Sequence, residues 1–460
     1  MAGQEISHAE ARVRAAAAVA RGQMLPFDPA HPLVGVWSDL VGQQQAVRVL
    51  RRAVIGAEAA EAARVRSASG DAAAVDGAAP GHAMTHAWLV TGPPGSGRSN
   101  AARAFAAALQ CRFGGCGECN DCRTALSGAH PDVTLVRTEM LSIGVDEVRD
   151  LVRKASMSPT MGRHQVIVVE DADRITDRGA DALLKSLEEP PARTVWVLCA
   201  PTPDDVIVTI RSRTRQVALR TPPNSDVVRL LVERDHIDRA MAEYAAKAAQ
   251  GHIGRARALA RDEKVRNARH AVLLVPSRLT SVGACLTVAD DLVKAADAEA
   301  DRITGRLDEA DRARLSEALG FGTKGARPRH AAAALRDLED QQKARAKRVR
   351  RDALDRSLTE LTTWYRDVLA VQTGAVDPSG LHSASGVVEG ALDEPPTHTV
   401  GLINAEMRAD VARAAVATTP EQTLHSIDAI LECRQALETN VNPLLAMEAL
   451  LLQLGTATQS

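Results

Sequence analysis

Aromatic residues make up only 2% of the 460 residues, too few rings for the stacking platforms that grip single-stranded nucleic acid. Neither sign of charge dominates: 56 Lys and Arg face 58 Asp and Glu, for a net charge of −2. Bulk electrostatic capture of nucleic acid needs a basic face, so any DNA contact has to be local or shared with partners. No apolar run approaches the roughly 18 residues that a membrane-spanning helix needs, and the N-terminus lacks the charged-then-apolar pattern of a secretory signal. The expected location is cytoplasmic, with no membrane partner. Nor do the seven cysteines look like a disulfide framework. Cys199, Cys285 and Cys433 are scattered, as ordinary buried thiols are, and the other four cluster in a way that favours metal binding in a reducing compartment.

A chain of this length holds about three domains. Residues 1–33, rich in Ala, Arg and polar residues, read as a helix or ordered arm without a core of its own. From Trp37 onward Leu40, Val47, Leu50 and Val54 share a helical face, with Ser38 or Asp39 available as the cap. Residues 56–84 are dominated by Ala, Gly, Ser and Asp and read as a flexible insertion whose start extends that helix. Short β-rich runs then alternate with helical patterns, at Ala87–Val90, Val133–Val136, Val166–Val169, Val195–Leu198 and Arg215–Leu219. Continuous apolar strands separated by helices predict a parallel sheet covered on both faces. The expected organisation is an arm (1–33), an α/β domain (34–222), a small helical lid (223–265) and a helical domain (266–460) broken by a long loop at Gly374–Pro396.

After the first strand comes Gly92-Pro93-Pro94-Gly95-Ser96-Gly97-Arg98-Ser99. Glycines at this spacing let backbone N–H groups and a helix N-terminus face phosphate, with Ser99 as a magnesium ligand. Arg98 stands where such loops carry lysine, and a planar guanidinium on a longer stem cannot take the lysine's place without changing the geometry. A Gly/Pro turn that holds no nucleotide is the alternative. The third strand ends in Glu170-Asp171, the reverse of the usual order of magnesium-shell and water-orienting acids. Reversal displaces each carboxylate by about one bond length, roughly 1.5 Å. These acids serve a nucleotide site or simply cap the sheet edge. ATP or ADP, with Mg, is therefore a conditional cofactor.

Cys111, Cys116, Cys119 and Cys122 sit a few residues beyond this loop. Thiolates two residues apart reach one tetrahedral ion, and the glycines of Gly114-Gly115-Cys116-Gly117 let the chain turn around it. Residues 111–122 thus read as a structural zinc knuckle, with free thiols or an iron–sulfur cluster as alternatives. His130 is too far along to be needed and reads as a surface or capping residue. Arg211 and Arg213, in Ile210-Arg211-Ser212-Arg213-Thr214, lie where an arginine finger reaches a neighbouring subunit's γ-phosphate, or else complement a helix dipole. Arg255, in Gly254-Arg255, reaches phosphate from the lid or is a solvated arginine. The basic run Lys343–Arg351 meets DNA phosphates or forms a solvated helical face.

These elements together resemble the delta-prime family of clamp-loader subunits of bacterial DNA polymerase III, which are AAA+ proteins. The resemblance rests on Asp39-Leu40-Val41-Gly42-Gln43, the Gly92–Ser99 loop, the four cysteines, Leu183-Leu184-Lys185-Ser186-Leu187-Glu188-Glu189-Pro190 and Thr209–Arg213. Thr214 departs from the family's usual Cys after Ser-Arg. The resemblance implies an AAA+ RecA-like α/β domain with inserted zinc knuckle, a helical lid carrying a nucleotide-sensing Arg255, and a helical collar. It implies a degenerate nucleotide site without robust ATPase activity, and Arg213 as a finger acting in trans. Implied partners are the gamma/tau and delta subunits and, through the complex, the sliding β clamp and primer–template DNA. The sister motor family, gamma/tau, carries the loop lysine and the Asp-Glu pair that this chain lacks. The competing readings are a gamma/tau-like or autonomous AAA+ ATPase, which needs turnover by the isolated chain, and a zinc-dependent DNA-binding module, which needs salt-dependent DNA affinity without partners.

Overall fold

The computed structural model describes residues 17, 18, 21, 23, 33–68, 84–138, 142–318, 331–376, 401–439 and 441–457. The chain forms two compact units, Met1–Arg261 and Asp262–Ser460. Most of the 1–33 arm and of the Gly374–Pro396 loop lies outside the described residues. Among those described, no helix is long and apolar enough to cross a membrane.

The first unit opens with a short turn, Gly35–Trp37, and helix α1 (Gln44–Ala68). Strand β1 (Ala87–Thr91), α2 (Arg98–Gln110), α3 (Asn120–Ser127), β2 (Val133–Val136), α4 (Val145–Ala155), β3 (Gln165–Val169), α5 (Asp177–Glu188), β4 (Thr194–Ala200), α6 (Val208–Arg211) and β5 (Arg215–Ala218) follow. All five strands are parallel, in the order β2-β3-β4-β1-β5. The period-2 alternation of a strand splits each apolar run between two cores. Trp88, Val90, Val166, Val168, Val195 and Val197 join α1, α2 and α3 on one face. Leu89, Ile167, Val169, Trp196 and Leu198 join α4 and α5 on the other. The parallel sheet covered on both faces is thus as expected, and β4 separates the strand leading into the glycine loop from the one ending in acids.

Two local readings change, the cap of α1 and the place of His130, while the start of the 56–84 insertion extends the helix as expected. α1 begins at Gln44, so neither Ser38 nor Asp39 caps it; the Gln43 carbonyl accepts the first helical bond, from Val47 N–H at 2.9 Å. Helix continues to Ala68, so the first part of the 56–84 insertion is regular structure, and residues 69–83 lie outside the described set. His130 is buried rather than superficial; its Nδ1 accepts from the Asp132 N–H at 3.1 Å.

Asp132 is itself buried and gathers the loop before β3. Thr160 N–H donates to it at 2.6 Å and Met161 N–H at 2.9 Å, and Gly162 N–H bonds the same carboxylate. Burial works to raise its pKa, but these backbone donors hold it below the ordinary carboxylate value. A depressed folded-state pKa contributes stability that is present above the unfolded value, about 3.9, and is lost as pH falls through the folded value. Asp132→Asn is expected to cost about 1–3 kcal/mol at neutral pH. Urea unfolding of both proteins should show that gap narrowing as the medium is acidified below the unfolded carboxyl pKa; a gap independent of pH would count against the assignment.

The unit closes with a small helical group, α7 (Asn224–Glu233), α8 (Arg239–Ala249) and α9 (Ile253–Arg261). The second unit is all helix in its regular elements: α10 (Glu263–Leu273), α11 (Val275–Arg278), α12 (Val282–Ala318), α13 (Ala331–Gln372), α14 (Arg408–Ala417), α15 (Pro420–Glu438) and α16 (Pro443–Ala457). Its core gathers Leu354, Leu358, Leu361, Val411, Ile430, Met447 and Leu451. A capping box of Thr419 and Gln422 with Pro420 in the first turn starts α15. Within the basic run Lys343–Arg351, Arg345 pairs with Asp308 at 2.7 Å and Asp311 at 2.9 Å, and Arg350 pairs with Asp297, so these two cations tie α13 antiparallel to α12, whereas exposed Lys343 pairs with Asp340 of its own helix.

Candidate functional site

Open parallel sheets bind ligands outside the carboxyl ends of their strands, and the glycine loop lies there, between β1 and α2. Gly95 and Gly97 have φ of +83° and +93°, backbone that only glycine adopts without strain. A Cβ on Gly92 would come within 2.7 Å of Ser96 Oγ and 2.9 Å of the Leu219 carbonyl oxygen. The Ser96 hydroxyl is buried without a hydrogen-bond partner, the kind of orphaned donor a phosphate oxygen would satisfy. The backbone cradle therefore fits phosphate.

Its side chains do not. Arg98, at the first position of α2, turns back so that its Nη1 donates to the Gly92 carbonyl of its own loop. Burial lowers its pKa, against the fields of Asp173, Asp171 and Asp205 among others. The cation those acids face is thus a guanidinium of this chain. Burial likewise raises the Asp173 carboxyl above its ordinary value. At the end of β3, Glu170 is buried and bound by Arg103 of α2, Nε at 2.7 Å and Nη2 at 2.7 Å. A carboxylate consumed by this pair is poorly placed to orient an attacking water. Asp171, half-buried, begins the turn Ala172–Arg174. From the turn before α9, His252 covers the loop: a Cβ on Gly95 would lie 2.3 Å from the His252 ring and 2.6 Å from its Cα. Arg255 is half-buried, and its backbone N–H donates to His252 Nδ1 at 3.2 Å. Pro93, Pro94 and Ser99 complete the loop at its predicted place.

Sequence reasoning missed the residues that hold this arrangement. Gln43 is buried; its amide donates to the Arg220 carbonyl at 2.6 Å and the Ser96 carbonyl at 3.3 Å, and accepts from Arg220 N–H at 3.0 Å. It ties α1, the loop and the exit from β5 together. Gly42, at φ +73°, is closed in by Pro223 and Asp226, which the Val41-Gly42-Gln43 motif could have signalled.

The four thiols do meet. All four Sγ atoms lie within 4.8 Å of one another, with Cys111–Cys116 at 3.6 Å, Cys111–Cys119 at 3.8 Å and Cys116–Cys122 at 4.0 Å. A tetrahedron of sulfurs about 2.3 Å from zinc has edges of about 3.8 Å. Backbone N–H groups of Phe113, Cys116, Cys119 and Cys122 point at these sulfurs from 3.3 to 3.4 Å, stabilising thiolate ligands. A hydrogen bond from Cys122 and backbone donors bring the Cys111 thiol down to about 5; burial lifts Cys119 to about 11. The cluster is compatible with structural zinc. It docks on the Gly35–Trp37 turn through Val36 N–H to the Gly115 carbonyl at 3.0 Å and Trp37 Nε1 to the Gly114 carbonyl at 3.1 Å. Cys199, Cys285 and Cys433 are buried and free, as expected.

Arg213 is exposed beyond α6. Its Nε donates to Glu188 Oε1 at 2.7 Å, and its Nη1 to the Thr209 carbonyl at 2.9 Å. Arg211 pairs instead with Asp204.

The first unit thus combines a five-stranded parallel sheet, a glycine loop outside the carboxyl end of β1 and an inserted cysteine cluster. Residues 75–223, about a third of the chain, match the family described as DNA polymerase III, delta subunit. The chain is 39% identical over 143 residues to DNA polymerase III subunit delta-prime of Pseudomonas aeruginosa, 30% of this chain and 44% of that protein. It is 35% identical over 145 residues to subunit gamma/tau of Mycobacterium tuberculosis, 30% of this chain and 25% of the relative. The chain thus spans less than half the length of either relative. A solved gamma subunit-related protein of DNA polymerase III from Thermotoga maritima aligns over 81% of this chain and 94% of its own, at 16% identity and a TM-score of 0.35, a likeness too loose to argue from.

Proposed function

We propose that the protein is a non-hydrolysing, delta-prime-like subunit of a cytoplasmic DNA polymerase III clamp loader. It would assemble with gamma/tau and delta subunits through its helical second unit, acting as a collar. The complex would open the sliding β clamp and place it on primer–template DNA. Its zinc knuckle is structural, and Arg213 serves a neighbour's ATP in trans. The observation that carries this reading is Arg98, which binds its own loop at Gly92 and lies in the field of Asp171, one of the two acids expected to serve a magnesium site. Glu170, tied to Arg103, removes the other requirement of a motor. His252 closes the loop from the lid, and Arg255 would meet phosphate only if that contact gave way. A phosphate or nucleotide binds at most weakly here.

The similarity to a gamma/tau subunit over 145 residues favours a motor as second reading, but a motor needs a lysine at position 98 and an unencumbered glutamate. Direct DNA capture loses its best candidate with the ion-paired run on α13. The isolated chain is expected to show no ATPase activity above background, and Arg98→Lys alone not to create a fast enzyme, because Arg103 still holds Glu170. Magnesium-dependent turnover by the unmodified chain would overturn the proposal. So would a reconstituted loader that loads clamps equally well without this chain.

A further inference from the structure

The Leu-Glu-Glu-Pro element and the Ser-Arg element are far apart in sequence, yet their charged residues meet. Glu188 is the last residue of α5, and a carboxylate there opposes the negative end of the helix dipole. Its placement is unfavourable for the helix itself and points to another use. Glu188 Oε1 takes both Arg213 Nε at 2.7 Å and Arg213 Nη2 at 2.5 Å. On the opposite nitrogen, Nη1 reaches the Thr209 carbonyl at 2.9 Å and Ser212 Oγ at 3.3 Å. Of the five N–H bonds of a guanidinium, three are hydrogen-bonded, the one on Nε and the two on Nη1, while Nη2 lies against Glu188 as an ion-pair contact only. Both side chains remain partly open to solvent, 36% and 48% exposed, so the pair adds little to stability. What it does is hold a long side chain in one pose. An untethered arginine on the surface samples many rotamers, and ordering it costs side-chain entropy.

We propose that Glu188 is the positioning residue for Arg213: it fixes the plane of the guanidinium so that Nη2 is presented to an anionic phosphate oxygen of a nucleotide on a neighbouring subunit. The inference rests on the reading of Arg213 as a finger in trans. Misplacement of a catalytic group by about 1 Å can cost on the order of 100-fold, so losing the tether is felt even though the arginine remains.

The test uses the reconstituted loader carrying Arg213→Ala, Glu188→Ala, Glu188→Gln or the Arg213→Ala/Glu188→Ala double variant, with DNA- and clamp-stimulated ATP hydrolysis measured as kcat and KM. Glu188→Ala is expected to remove most of the share of kcat that Arg213→Ala removes, at unchanged thermal midpoint and zinc content. Glu188→Gln, whose amide oxygen can accept the same Nε hydrogen bond, is expected to retain more of it. The double variant should be no slower than Arg213→Ala alone, since the tether acts only through the arginine. Parent-like or faster hydrolysis with Glu188→Ala, or a double variant slower than Arg213→Ala, overturns the inference while leaving the finger intact. Should Arg213→Ala itself behave like the parent, the finger reading fails first and this inference with it.

Discussion

Purified protein is expected to carry one zinc ion per chain, and Cys119→Ser to lose it. The first unit would then melt at a temperature lower by about 8–16 °C. Three observations lead there: sulfur separations of 3.6, 3.8 and 4.0 Å, the N–H donors aimed at the sulfurs, and the burial of the cluster in the main core. Cys111 and Cys122 are fully buried in the same core as Trp37 and Phe105. Gly115 leaves no room for a side chain, since a Cβ there would approach Val36 to 2.6 Å. Without an ion, nothing but weak thiol contacts links the four converging sulfurs, and of the loop between α2 and α3 Phe113 is the one large apolar side chain packed on the core. Structural zinc contributes about 10–16 kcal/mol to isolated finger peptides. If only about 4 kcal/mol of that is coupled to the surrounding unit, the midpoint falls by about 8–16 °C. Metal analysis and calorimetry with and without a strong chelator decide the matter. Protein free of zinc as purified, or a quadruple cysteine variant that melts like the parent, would refute the assignment.

The sheet was legible because each strand is a continuous apolar run of a few residues, and a buried parallel strand needs nothing else. Val166–Val169 and Val195–Leu198 declare themselves without reference to the rest of the chain. The cysteine cluster was legible for the same reason: its four thiols lie within twelve residues. What escaped reading depends on partners far away in sequence. Ser38 and Asp39 look like caps, but Gly42 turns the chain at φ +73°, and Gln43 is held by the backbone of Arg220, 177 residues on. The order of Glu170 and Asp171 hinted at a weak site; that Arg103 takes the glutamate follows only once α2 lies beside β3. His252 shows no pattern of its own until the lid places it over Gly95. The basic run on α13 looks like a polyanion site because its acids lie on α12, where a one-dimensional charge count cannot pair them.

Arg213→Ala is expected to leave folding, zinc content and complex assembly nearly intact while lowering ATP hydrolysis by the assembled loader. The side chain is exposed, and its contacts, to Glu188, Thr209 and Ser212, are local to the end of α5 and to α6. Surface pairs of this kind are worth about 0–1 kcal/mol, so truncation has little to destabilise. The effect on rate is of another order, because a guanidinium supplied in trans acts only as charge develops on the transferred phosphoryl group. Such fingers are worth about 10³–10⁵ in rate at the site they serve. The motor sites served by other subunits would keep their own arginines, so the fall in total hydrolysis should be partial and appear in kcat rather than KM. Arg211→Ala is the control: it carries the same charge two residues away but is turned to Asp204, and its removal should leave hydrolysis at the parental rate. If the Arg213→Ala complex hydrolyses ATP and loads clamps as the parent does, or if Arg211→Ala is equally impaired, Arg213 is no more than a cation at the end of a short helix.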